Sequence, residues 1–133
     1  MSKGIEPDPL VEGAAAWLAL NAEREDTIRR WQRLESLLFA KARTQGMRCD
    51  LACRSNLPEA RLMRQLSKRM DDLFYTLEAE AERLEAIHAT TVEGALAKIR
   101  LGLEVQGPFD WHPSAHELLR DGLAELRELL PSA

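Results

Sequence analysis

"NLPEARLMRQLSKRMDDLFYTLEAEAERLEAIH", residues 56–88, decides the fold class. Leu62, Leu66, Met70, Leu73, Leu77, Ala81 and Leu84 follow one another at spacings of three and four and run on to Ile87/His88, tracing one narrow apolar seam along a helix. Asn56, with Pro58 in the first turn and Glu59 three residues after it, reads as a capping box that fixes the start. A seam sustained over this length needs a partner of similar length. Upstream, Asp8-Pro9 opens a second pattern, in which Trp17, Leu20, Thr27/Ile28, Trp31, Leu34 and Leu38 share one face to about Thr44, and Gly46 supplies the stop. Arg24 breaks that stripe where the seven-residue repeat from Trp17 to Trp31 asks for an apolar side chain. Its long stem marks a rim position or an interface detail.

Two shorter helices follow. Thr90 with Glu93 reads as a capping box for residues 91–105, with Val92, Leu96, Ile99 and Leu103 facing inward and Gly107-Pro108 as the end. Ser114 with Glu117 repeats the box for residues 114–130, where Leu119, Leu123, Leu126 and Leu130 face inward until Pro131. The expectation is an all-α, bundle-like single domain: helices near 9–44, 57–88, 91–105 and 114–130, with the first two forming a long antiparallel hairpin. Composition agrees, since 45% apolar content with only 5% aromatic residues suits helices better than a β-sandwich or barrel. The apolar run Ala14–Leu20 is preceded by acids, so neither a signal peptide nor a membrane span is expected. A cytoplasmic chain with reduced Cys49 and Cys53 follows.

The stretch "ATTVEGALAKIR", residues 89–100, resembles an Ala-Thr-Thr, Gly, Ala-Lys-x-Arg pattern found near the C-terminal side of small helical proteins of proteobacteria. The resemblance covers residues 84–105. It implies a helical, soluble chain and brings no activity with it.

Charge is segregated under a net −4. Residues 29–69 carry eleven basic against three acidic groups, whereas residues 70–133 carry five basic against thirteen acidic. In a hairpin the basic segment becomes the tip and the acidic segments its base. Solvated neutralising pairs, two-fold self-association of tip on base, and an anionic partner at the tip each account for this layout. Arg29, Arg33, Arg61, Arg64 and Lys68 are the candidate anion-binding residues. Nucleic acid is not favoured: no helix-turn-helix spacing, aromatic stacking platform or zinc knuckle accompanies the basic cluster.

Candidate metal ligands are Cys49 and Cys53, four apart, with His112 and His116 at the same spacing. Cys2His2 is a common zinc set, but this gap between pairs is far longer than in a finger. Within one hairpin the two pairs lie about 50 Å apart, so only a head-to-tail dimer or another docking of the last helix joins them. A carboxylate-bridged di-iron site fails on count, because Glu85-x-x-His88 is the single Glu-x-x-His present. No phosphate loop or oriented Cys–His nucleophile is readable, and no cofactor is expected. The leading expectation is a non-enzymatic scaffold or adaptor, forming a homodimer or meeting another protein through Trp31, Leu38, Leu66, Met70, Leu73 and Leu77.

Overall fold

Asp8 starts the first helix as a short carboxylate should: its Oδ1 accepts from the Leu10 amide at 2.8 Å and from the Val11 amide at 3.4 Å, and Pro9 follows in the first turn. The computed structural model describes residues 8–106 and 113–131. Its helices are α1 (Pro9–Thr44), α2 (Cys49–Cys53), α3 (Pro58–Glu85), α4 (Val92–Gln106) and α5 (Pro113–Leu129). The protein is all-α and bundle-like, and the described residues contain no strand. No helix among them is long and apolar enough to cross a membrane. The stop read at Gly107-Pro108 lies outside the described residues.

The described residues form two compact units: 8–20 with 77–106 and 113–131, and 21–76. α1 and α3 contribute to both. In the first unit, Leu10, Ala14 and Trp17 of α1 pack with Leu77, Ala81 and Leu84 of α3 and with Leu101 and Leu118 of α4 and α5. The buried Trp17 Nε1–H donates to the Leu77 carbonyl at 2.9 Å, so the ring is buried without an orphaned donor. Asp8 also accepts from the Thr91 hydroxyl, and Thr91 Oγ1 in turn accepts from the Gly94 amide at 2.9 Å. Thr91 rather than Thr90 therefore caps α4, because only its hydroxyl reaches both Asp8 and the first turn.

That network sets a pH dependence. The Thr91 hydroxyl does most to hold the Asp8 carboxyl below its ordinary value; burial opposes it, and the Leu10 and Val11 amides add to the lowering. In the unfolded chain Asp8 takes up its proton at higher pH than in the folded one. The stability it contributes is complete above the unfolded value and is lost as pH falls through the folded value. Asp8→Ala is expected to cost about 1 kcal/mol at neutral pH. Asp8→Asn, which keeps a cap, should flatten the stability profile below about pH 4, as read by helical circular dichroism during acid titration.

In the second unit, Leu38 and Ala42 of α1, Ala52 of α2 and Ala60 and Met63 of α3 form the core, with Trp31, Leu34 and Leu57 packed against it. α1 ends in a Schellman turn: Gly46 adopts φ 66°, its amide donates to Arg43, and the Met47 amide donates to Ala42 at 2.8 Å. The connection between the two long helices holds α2, whose Ala52 is buried against both of them. Asn56 does not cap α3. The helix begins after Leu57, whose amide donates to Ser55 Oγ at 3.2 Å. The Glu59 carboxylate accepts from its own amide and from Lys41 Nζ at 3.0 Å, contacts that lower its pKa.

The break at Arg24 has a local explanation. Its guanidinium carbon lies 5.6 Å from the centroid of Phe74, while its Nε is buried without a hydrogen-bond partner among the described residues. An unmet donor in an apolar stripe is costly. Arg24→Leu is therefore expected to stabilise the unit by about 1 kcal/mol, measured as a raised thermal midpoint.

Candidate functional site

α4 and α5 meet closely because small residues line their contact. A Cβ built on Gly102 would stand 2.8 Å from Leu119 Cγ and 3.1 Å from the Ala115 carbonyl, and one on Gly122 would stand 2.8 Å from Ile99 Cγ1. Beside this crossing Lys98 is 1% exposed, and its Nζ donates to both oxygens of Glu125 at 2.9 and 3.0 Å. Glu125 also accepts from the Ala89 amide at 2.9 Å, which holds the segment between α3 and α4. A buried charge survives only when paired and hydrogen-bonded, and both conditions are met here.

An open cavity of about 660 Å³ lies above this pair, lined by Glu82, Glu85, His88, Asp121, Lys98 and Glu125. His88 lies beyond the end of α3 and faces two carboxylates, with Nδ1 3.4 Å from Glu125 and Nε2 3.4 Å from Glu128. Glu85, Glu117 and Asp121 place one carboxylate oxygen each within 4.8 Å of one another. Such an all-oxygen set suits a hard cation rather than zinc. Three half-buried carboxylates are also ordinary on an acidic helical surface, and by themselves they define no metal centre.

The buried faces of α4 and α5 are rotated by about one residue from the sequence reading. Gly94, Ala95, Lys98, Leu101 and Gly102 of α4, and Ala115, Leu118, Gly122 and Glu125 of α5, point inward. Of the residues expected inside, Val92, Ile99, Leu119 and Leu126 are half-buried, whereas Leu96, Leu103, Leu123 and Leu130 are 50%, 60%, 47% and 49% exposed. The physical reason is the glycine contact, which brings the two backbones together and turns the larger side chains outward. Leu96 and Leu103 stand seven residues apart on one line of α4, and Leu123 and Leu130 seven apart on one line of α5.

The expected interface residues divide differently. Leu38, Leu73 and Leu77 are 0%, 2% and 5% exposed, so the chain's own packing consumes them and they present nothing to another molecule. Trp31, Leu66 and Met70 are half-buried. Among the expected anion ligands, Arg64 is already committed: its guanidinium donates to the Cys53 carbonyl at 2.8 Å and to Ser55 at 3.0 Å, closing the end of α2. Arg29 lies 3.9 Å from Asp26, and Arg33, Arg61 and Lys68 are exposed. Cys49 is an exposed free thiol and Cys53 a half-buried one, at opposite ends of α2. His116 is exposed on α5, and His112 lies outside the described residues.

Sequence reasoning missed Lys98 and Glu125 because charged residues score as surface. The available signal was their spacing, with Lys98 midway between Gly94 and Gly102 and Glu125 three residues after Gly122. Comparisons with protein-family models, curated proteins and solved structures yield no match, so any function must be argued from these surfaces.

Proposed function

We propose that this chain is a non-enzymatic helical interaction module that pairs with a second copy of itself through the outer face of the α4–α5 hairpin. The observation that carries this reading is the set of half-exposed leucines, Leu96 and Leu103 on α4 with Leu123 and Leu130 on α5. Large apolar side chains left exposed on two packed helices favour burial against another protein surface.

Charge at the edges favours a second copy as the occupant. Glu93 lies one turn before Leu96 and Glu104 beside Leu103, with Arg100 between these two leucines, so the α4 edge is acidic by one net charge; Arg127 lies between Leu123 and Leu130 on α5. None of these four charges makes an ion pair among the described residues, and all are exposed. A two-fold pairing that lays α4 on the other copy's α5 brings the acidic edge to the basic edge and buries the leucines together. The buried Lys98–Glu125 pair would support this surface by fixing how the two helices present it.

Native mass spectrometry with size-exclusion light scattering tests the reading. The expected result is a dimer that Leu103→Glu converts to a monomer with unchanged helicity and melting, because Leu103 is 60% exposed and carries little of the core. A monomer at high micromolar concentration, or a Leu103→Glu chain that stays dimeric, would overturn it.

A further inference from the structure

A second surface, independent of the α4–α5 face, lies within the unit of residues 21–76. Leu34 and Leu37 of α1 and Leu62 and Leu66 of α3 line an open groove of about 390 Å³, and the remaining lining residues are Arg30 and Arg33. Leu37 is 61% exposed and Leu62 47%. The groove floor is therefore apolar side chain, and its polar lip is wholly cationic.

The lip charges are poorly spent inside the chain. Arg30 lies 3.6 Å from Asp26 in a solvent-exposed pair, which is worth little. Arg33 makes no ion pair among the described residues. Leucines three apart on one helix and four apart on the other leave a trough into which the ridge of a third helix can settle. Helix-in-groove recognition reads side chains at i, i+3, i+4 and i+7, and flanking charges of opposite sign set its orientation.

From this geometry we infer that the groove docks an acidic amphipathic helix, with its leucines on Leu34, Leu37, Leu62 and Leu66 and its carboxylates on Arg30 and Arg33. Apolar burial supplies the attraction, and the arginine lip selects the sign of the partner. A nucleic acid would use the arginines but leave the four leucines wet. A basic helix would fill the leucine trough but meet like charge at its lip.

The test uses the full chain and three fluorescent probes: a synthetic helix with leucines at i, i+3/i+4 and i+7 flanked by glutamates, its lysine-for-glutamate counterpart, and a short DNA duplex. The acidic helix should bind by fluorescence anisotropy, and more weakly as salt is raised. Arg30→Glu combined with Arg33→Glu should weaken it about tenfold or more, two lip pairs turned to repulsion being worth at least 1.4 kcal/mol. Leu37→Asp, at an exposed position that leaves folding intact, should abolish it. Equal binding of the basic helix, an unchanged affinity in the double arginine variant, or preference for the DNA duplex would each overturn the inference. Oligomeric state, read in parallel, should not change in the arginine variant, so failure here is separable from failure of the α4–α5 pairing.

Discussion

Glu125→Ala is expected to destabilise the unit containing α4 and α5 by about 3–5 kcal/mol, the range found when one partner of a buried ion pair is removed. Two losses coincide at this position. Lys98, 1% exposed, loses its carboxylate partner, and the Ala89 amide loses its acceptor, which also releases the segment leading into α4 from α5. The double variant Lys98→Met/Glu125→Leu should recover much of the loss, since two apolar side chains of similar volume need no desolvated charge. Chemical denaturation of the two single variants and the double variant completes the cycle. If Glu125→Ala melted like the parent chain, the ion pair would contribute nothing to the fold.

Gly122→Leu is expected to cost about 3 kcal/mol, and Gly122→Ala less. The sign of the alanine change needs the magnitudes compared. A helical glycine replaced by alanine gains about 1 kcal/mol from propensity alone. Against this, the new Cβ would stand 2.8 Å from Ile99 Cγ1 and 3.2 Å from the Ala95 carbonyl and the Ile99 amide. Backbone atoms cannot swing aside as a side-chain tip can, so the helices must separate and loosen the packing around Lys98 and Glu125. Leucine adds a whole side chain at the same crossing, and its penalty should appear as a lowered midpoint with exposed apolar surface reported by dye binding. A Gly122→Leu chain as stable as the parent would show that α4 and α5 do not cross as described.

The outward turn of Leu96, Leu103, Leu123 and Leu130 follows from the same contact. Large side chains in the crossing would force the helices apart, so glycine and alanine occupy it and the leucines one step round each helix face away. The arrangement that makes a tight intramolecular crossing therefore also makes an apolar outer surface. A substitution that fills the crossing would disturb both.

The amino-acid sequence by itself determined the four longer helices and most of their ends, but not α2. Asp8-Pro9 opens α1, Gly46 closes it by accepting a positive φ, and Pro58 stands at the start of α3, because caps and breakers act through atoms close in sequence. Trp17, Leu38, Leu73, Leu77, Ala81 and Leu84 were legible as apolar seam positions, since large side chains at helical spacing mark a buried face. Only the tertiary structure decided which faces of α4 and α5 are inside, that Thr91 caps α4 through Asp8, and that Lys98 and Glu125 are buried together. Those outcomes depend on how closely two backbones approach and which polar atoms they bring within hydrogen-bonding distance. Hydrophobic periodicity carries neither quantity: it counts apolar bulk along one helix, whereas the glycines act by what they allow a second helix to do.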